Sequence, residues 1–161
     1  MDGQDSELAY YGDPPRFDIR MVPLLGMERP SRSVIVADSK ALREAVDVIG
    51  QQFRRETNND VAPFSTERSD VEGVLFVSRR FHATFPIAAG AAGFAMEDGV
   101  WWMDWIWIHP YERGRGLMDV VWIDLEHRYG QFHIDGPYSR AMSAFLRRRN
   151  VSTERLNRPL K

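Results

Sequence analysis

The sequence contains no cysteine among its 161 residues. Disulfide bonds, thiolate nucleophiles, thiolate zinc sites and cysteine-bound clusters are therefore excluded as the chemistry of this chain. Long hydrophobic runs are also lacking. The longest apolar stretch, Val100 to Ile108, is interrupted by Asp104 and is far shorter than the roughly 20 residues that a helix needs to cross a bilayer. The sequence accordingly predicts no membrane-spanning segment.

The beginning of the sequence lacks the features of a targeting peptide. Residues 1–15 are acidic and polar, without the basic start and apolar centre of a secretory signal or the arginines of a transit peptide. We therefore expect a cytoplasmic protein. The same residues include Pro14 and Pro15 and show no apolar periodicity, so we interpret them as a flexible lead-in.

Positive charge is scarce over most of the sequence and concentrated near its end. The net charge is −2, but residues 140–161 carry seven Lys or Arg and one acid, which leaves 14 basic and 22 acidic residues in the rest. Such a basic end can contact a polyanion, or it can be the solvated face of a helix. The arginines of residues 147–158 are not interleaved with aromatic residues, so nucleic acid is disfavoured as a partner.

The length and the 43% hydrophobic content suit a single domain. We predict this domain over residues 16–150, followed by residues 151–161 as a basic tail. Phe17, Ile19 and Met21 alternate with polar residues as in a half-buried strand. Clearer patterns predict a strand at 34–37, a helix through 42–53, strands at 74–77, 87–96 and 100–108, a helix from Leu117 to Gly130, a strand at 132–134 and a helix opened by Ser139.

Two of the predicted strands are joined by Asp98 and Gly99, a dipeptide that is a strong signal for an antiparallel hairpin. No internal repeat or linker divides the sequence. Strands and helices must therefore share one layered structure, and we predict an α/β (α+β) fold in which helices flank a central sheet.

The most informative segment runs from a strand through a glycine-punctuated turn into a helix. Gly114 and Gly116 lack a Cβ, so the backbone can turn sharply and a ligand can approach closely. The unpaired amides of the first helical turn and the helix dipole favour anions. Arg113 and Arg115 add positive charge and forked donors that suit phosphate oxygens. The segment predicts a phosphate site, although glycines here can also mark only a tight connection.

In this segment, which reads Ile108-His109-Pro110-Tyr111-Glu112-Arg113-Gly114-Arg115-Gly116-Leu117-Met118, the sequence resembles the GCN5-related N-acetyltransferase superfamily. The likeness extends over residues 34–150. It implies a mixed, mainly antiparallel sheet whose fourth and fifth strands splay apart, with acetyl-CoA between them and its pyrophosphate on the turn. The residues that the resemblance assigns to the coenzyme are the backbone of Ile106 and Ile108, then Arg113, Gly114, Arg115, Gly116, Leu117 and Met118, and Ser139 at the start of the last helix.

Acetyl transfer to an amine requires a base, because an amine with a pKa near 10 is protonated at neutral pH. Asp104 is our candidate. Strand alternation predicts that it shares a face with Trp102, Ile106 and Ile108, where desolvation raises the pKa of a carboxyl. The alternative is a structural Asp paired with an arginine or with backbone amides. The same alternation predicts that a set of large residues lines the opposite face as core or as an acceptor pocket: Trp101, Met103, Trp105 and Trp107.

Tyr138 lies just before the last helix and is our candidate for the general acid that protonates the departing sulfur. The alternative is a half-buried aromatic whose hydroxyl meets water. Glu112 lies in the turn, where it can balance the arginines. No metal site is expected, because the histidines lack the paired spacing of a metal-binding helix. These histidines are His82, His109, His127 and His133.

From the resemblance and these residues we predict an acetyl-CoA-dependent N-acetyltransferase that uses direct attack in a ternary complex. The expected acceptor is a small-molecule or peptide amine. The alternative is a coenzyme-binding protein of the same fold with weak or no turnover, because Met118 stands where the family has Gly or Ala, and Leu146 where it has a tyrosine. Homodimer formation through strand exchange stays open.

Overall fold

A computed structural model describes residues 25–26, 30–57, 70–78 and 86–161 of the chain. The predicted lead-in at 1–15, the predicted strand at Phe17 to Met21, and His82 lie outside the described residues. Within them, every helix and strand that the periodicity predicts is present and in the predicted order. The elements are β1 (Val34–Val36), α1 (Lys40–Thr57), β2 (Val71–Val77), β3 (Ala88–Glu97), β4 (Val100–Ile108), α2 (Leu117–Tyr129), β5 (His133–Ile134) and α3 (Arg140–Arg148), with 3₁₀ helices at Pro110–Glu112 and Thr153–Arg155.

The strands form one sheet in the order β1-β2-β3-β4-β5. The first three junctions are antiparallel, and only β4 and β5 run parallel. The predicted fold class is thus confirmed: a mixed, mostly antiparallel open sheet flanked by helices, which is consistent with the fold that the resemblance implies. Asp98 and Gly99, both with positive φ, make the predicted hairpin between β3 and β4.

The sheet has a hydrophobic core on each face. On one face α1 contributes Leu42, Val46 and Ile49, which pack against Trp105 and Trp107 of β4. On the other face α2 and α3 contribute the side chains that pack around Met103, Phe94 and Phe132; these are Leu117, Val121, Trp122, Leu125, Phe145 and Leu146. The sheet is therefore buried on both faces, as expected for a layered α+β domain.

A β-bulge interrupts the pairing of β3 with β4. Gly93 pairs with Trp105, but the next residue, Phe94, pairs with Met103, so the register passes over Asp104, which is the inserted residue of the bulge. A bulge of this kind shifts the strand's alternation by one residue. Odd-numbered residues therefore face one side of the sheet before Asp104 and the other side after it, and even-numbered residues do the reverse.

The bulge corrects the predicted distribution of the tryptophans. Trp101 and Met103 pack in the core beneath α2 and α3, whereas Trp105 and Trp107 pack in the core beneath α1. The prediction that these four residues share one face is wrong, because strict alternation does not survive the inserted residue. Ile106 falls on the same face as Met103.

Pairing between β4 and β5 is confined to two positions. Trp102 is opposite His133 and Met103 is opposite Ile134; one further hydrogen bond follows, from the Asp135 amide to the Met103 carbonyl at 3.0 Å. Beyond it, β5 ends while β4 continues to Ile108. Among the described strands, none covers this second half of β4 on that side, so a wedge opens from Asp104 onward.

Residues 151–161, predicted as a basic tail, are packed against the domain. Leu156 forms a bridge to Ile134, and the Lys161 amide donates to the Ser143 hydroxyl at 3.1 Å. The buried Arg155 guanidinium donates to the Phe132 carbonyl at 2.8 Å and pairs with Glu126 at 2.9 Å. Of the three basic residues in this segment, Arg155 therefore has a structural role. In the described part of the chain, no helix is both long and apolar enough to cross a membrane.

The bulge yields a stability prediction. A Cβ added at Gly93 would lie 2.2 Å from the indole nitrogen of Trp105, and the tightly packed core offers little room for the ring to move. We expect Gly93→Ala to lower the free energy of unfolding by about 2 kcal/mol, the usual cost of overpacking a core. Urea unfolding measures this, and a change below about 0.5 kcal/mol, the size of an ordinary surface substitution, would contradict the packing described.

Candidate functional site

The turn after β4 forms an open corner of the molecule, which we call the glycine corner (residues 113–116). Gly114 and Gly116 have φ values of 68° and 83°, a left-handed conformation that strongly favours glycine. A Cβ built at either position would meet no atom within 4 Å. These glycines are therefore required by the backbone conformation, and the described residues leave the space above them open to a ligand.

Helix α2 starts at this corner without a side-chain cap. Gly116 is the N-cap residue and supplies no side-chain acceptor for the amides that follow it. The first-turn amides, including those of Leu117 and Met118, have no acceptor within the helix and lie at its positive end. The Leu117 side chain is buried in the core, and the partly buried Met118 side chain packs against it. The structure thus provides a place where an anion can meet helix amides.

The two arginines of the corner differ in their contacts. Arg115 is exposed and makes no hydrogen bond or ion pair with the described residues. The Arg113 guanidinium is already engaged: its Nε donates to the Ile108 carbonyl at 2.7 Å, and its two terminal nitrogens each donate to Glu56 at 2.7 Å. Of the two arginines, Arg115 is the one whose donors no other described residue uses, so it is the better candidate for phosphate oxygens.

Glu56, near the end of α1, belongs to this site although the sequence pattern does not indicate it. Besides Arg113, its carboxylate accepts a 2.5 Å hydrogen bond from the Trp107 indole. Burial alone would raise the pKa of Glu56, but the hydrogen bonds from Arg113 and Trp107 outweigh it, so the pKa lies below its ordinary value. The carboxylate is therefore charged at neutral pH.

A buried polar cluster lies beneath the corner. The imidazole of His109 accepts a hydrogen bond from the Tyr111 amide through Nδ1 and lies between the Trp107 and Tyr111 rings. Ser78, after β2, donates to the buried carboxylate of Glu112 at 2.5 Å. Glu112 thus anchors the turn to the sheet through Ser78.

The open edge of β4 presents backbone groups to the wedge. The His109 amide donates to the Ala89 carbonyl of the adjoining chain at 2.8 Å. Because antiparallel strands alternate between bonded and non-bonded pairs, Ile108 and Ile106 direct their amide and carbonyl groups away from β3. The Ile108 carbonyl is used by Arg113. The Ile106 groups and the Ile108 amide face the wedge.

The predicted base lies at the apex of the wedge. Asp104 is the extra residue of the bulge and follows Met103, the last residue of β4 bonded to the β5 side. It is half-buried and has an interaction partner in the structure. The bulge therefore places the carboxylate where the two strands separate, a position that the sequence pattern alone does not reveal.

Two other predicted site residues have structural contacts. The Tyr138 side chain is buried in the core, and its hydroxyl donates to the Ile134 carbonyl at 2.8 Å. Burial raises the pKa of Tyr138. The Ser139 hydroxyl caps α3 by accepting from the Met142 amide at 3.1 Å. Their roles as acid and coenzyme contact stay predictions. Tyr138 would have to give up its hydrogen bond to Ile134 in order to supply a proton, whereas the Ser139 hydroxyl can still donate while it caps the helix.

The described residues contain no group of three or more His, Asp or Glu side chains that could hold a metal ion. The chain matches none of the protein-family models and none of the curated proteins with which it was compared. These comparisons therefore assign the chain to no family.

His109 yields a pH prediction. Burial and the neighbouring Arg113 guanidinium lower the pKa of His109 to about 4, whereas a histidine in the unfolded chain titrates near 6.5. Between about pH 6.5 and pH 4 this histidine is protonated in the unfolded state but neutral in the folded state. Stability that is present above pH 6.5 is therefore lost as the pH falls toward 4. The loss amounts to about 3 kcal/mol at most.

We expect His109→Gln to be less stable at neutral pH but to lose less stability over this range. Urea unfolding at several pH values between about 7 and 4 checks it. Parallel slopes for the two proteins would show that His109 does not carry this part of the pH dependence.

Proposed function

We propose that this protein is an acetyl-CoA-dependent N-acetyltransferase of the GCN5-related superfamily. The observation that carries the proposal is a juxtaposition: the second half of β4 lines an open wedge and leads directly into the glycine corner at the start of α2. An extended arm with a diphosphate at one end fits this pair of features. The motif resemblance supports the same ligand.

The coenzyme-binding roles follow from groups that no other described residue engages. The first-turn amides of α2 and the Arg115 guanidinium would bind the pyrophosphate, since both favour anions. The backbone of Ile106 and the Ile108 amide would bond the pantetheine arm as a neighbouring strand does. Arg113 would act on the corner mainly through its engagement with Glu56 and Ile108.

The chemistry of the transfer requires a base at the apex. Asp104, directly or through water, takes one proton from the ammonium of the acceptor, and the amine nitrogen then bonds to the thioester carbonyl carbon. The carbon–sulfur bond breaks, and the sulfur takes up a proton from Tyr138 or from water, which is replaced by the second proton that the nitrogen loses on becoming an amide. A backbone amide on the open edge, such as that of Ile106, would stabilise the developing oxyanion. The acceptor class proposed is a small-molecule or peptide amine.

A second candidate function is coenzyme binding with weak or no turnover. It is favoured by Tyr138, whose hydroxyl is held by the Ile134 carbonyl at 2.8 Å in the packed interior. Supplying a proton to the departing sulfur would require this bond to break. Thiol release in the presence of amines distinguishes the two candidates.

The glycine corner can be tested with a matched pair of glycines. Gly116 and Gly130 flank α2 at its two ends, with φ values of 83° and 66° and open space around each. Alanine at Gly116, which is left-handed with ψ 2°, should cost about 1 kcal/mol of strain. Gly130, with ψ −143°, lies in a region that is nearly restricted to glycine, so alanine there should cost about 1–3 kcal/mol, and the control is at least as strained as the test variant. Only Gly116→Ala should weaken binding of coenzyme A, by about tenfold or more, because its methyl group fills the approach to the first-turn amides.

Isothermal titration calorimetry at neutral pH measures both variants against the parent chain. Equal affinity of all three proteins would place the coenzyme away from the corner, and no binding to the parent chain would refute the proposed function.

The proposed base can be tested by Asp104→Asn. The substitution keeps the shape of the side chain but removes its ability to accept a proton, so turnover of any accepted amine should fall by about 10² or more. Coenzyme affinity should stay unchanged. Asp98→Asn, in the exposed hairpin turn, is the control. Turnover is followed by thiol release, and full activity of Asp104→Asn would transfer the role to water or another carboxylate.

A further inference from the structure

We propose that Glu56 is a positioning residue for coenzyme binding: it holds the glycine corner in its binding conformation by fixing Arg113 and Trp107. The inference rests on the proposed function and deepens it, because it names a residue on α1, remote in sequence from the motif, that sets the affinity for the diphosphate.

The contacts of Glu56 form a closed network. Its two carboxylate oxygens accept from both terminal nitrogens of Arg113 at 2.7 Å, a bidentate geometry, and one of them also accepts from the Trp107 indole at 2.5 Å. The guanidinium lies 5.5 Å from the centre of the Trp107 ring. Such a carboxylate is constrained by three charge-assisted or buried donors, unlike an ordinary surface ion pair.

The network reaches the corner through Arg113. This residue immediately precedes Gly114, and its Nε is fixed to the Ile108 carbonyl at the end of β4. The Arg113 side chain therefore closes the loop from Ile108 to Arg113 through its Nε, while Glu56 on α1 holds the two terminal nitrogens of the same guanidinium. The two glycines that follow are the most permissive residues of the backbone. Without a fixed Arg113, the conformation of these glycines would be less restricted. The orientation of the first-turn amides would then be less restricted as well.

A purely electrostatic role for Glu56 predicts the opposite result. A negative charge close to a diphosphate opposes binding, so its removal would free Arg113 and strengthen the complex. That gain would shrink as salt screens the charges. A positioning role instead predicts that removal of Glu56 weakens the binding of coenzyme A, and that the size of this loss depends little on salt. The direction of the change therefore distinguishes the two roles.

The experiment titrates coenzyme A into the parent chain and into Glu56→Gln and Glu56→Asp, by calorimetry at low and high salt. Glu56→Gln removes the charge, whereas Glu56→Asp keeps it but shortens the reach to Arg113 and Trp107. We expect both variants to bind about fivefold more weakly or worse, a coupling of ordinary size between a remote residue and a ligand. The control is Glu44→Gln, on the same helix, where the exposed carboxylate lies 3.9 Å from Lys40.

A second measurement separates positioning of the corner from general loosening of the domain. Pantetheine lacks the diphosphate, so it should bind more weakly than coenzyme A. Its affinity, measured by competition with coenzyme A, should be the same in the parent chain and in Glu56→Gln. A double variant with Arg113→Gln should bind coenzyme A no more weakly than the worse single variant, because both substitutions break one network.

The outcomes are separable. Tighter binding by Glu56→Gln that disappears at high salt, or unchanged binding of coenzyme A by both variants, overturns the inference and leaves the proposed function standing. Equal losses for pantetheine and coenzyme A overturn it as well, since they reveal a general structural role. Failure of the parent chain to bind coenzyme A overturns the proposed function and the inference together.

Discussion

The inserted residue of β4 is the constraint on which the arrangement of the site depends. The register of β4 with β3 passes over Asp104, so the faces on which successive side chains lie are exchanged at this residue, and the strand is expected to bend there. Before it, β4 is hydrogen-bonded on both sides. After it, β4 is bonded to β3 alone among the described strands, and Trp105 and Trp107 face α1. One extra residue thus creates the apex of the wedge and directs Trp107 toward Glu56.

The neighbouring strand accommodates this bulky segment by being small. Strand β3 begins with a run of alanine and glycine, which lies opposite the tryptophans of β4. Gly93 lies directly under the Trp105 indole, where a methyl group has no room. Close packing of large against small residues at native density lets two indoles be buried on one face without separating the strands. The small residues of β3 therefore make the room that the aromatic residues of β4 fill.

The sequence predicts the elements well because their signals are local. Apolar periodicity gives the helices and strands, Ser139 caps α3, and Gly130 ends α2. The contacts that shape the site are not local: Glu56 and Arg113 are 57 residues apart in the chain, and Ser78 and Glu112 are 34 apart. The bulge is equally hidden, because nothing in the run VWWMDWIWI marks Asp104 as the inserted residue of a bulge rather than as one more alternating residue. Local pattern gives the order of elements, while register and long-range pairing decide which groups meet.

The glycine corner divides the functions that sequence reasoning assigned jointly to its two arginines. The charge of Arg113 is neutralised by Glu56, and its Nε donates a hydrogen bond to the Ile108 carbonyl. Arg113 therefore contributes rigidity and little net charge. Arg115 is exposed and keeps its charge. In the proposed site, Arg115 and the helix terminus would attract an anion, while Arg113 would restrict the conformations of the two glycines. Because preorganised amides lose little entropy on binding, the affinity for a diphosphate at this corner would then depend as much on the contacts that fix the loop as on the charge that faces the ligand.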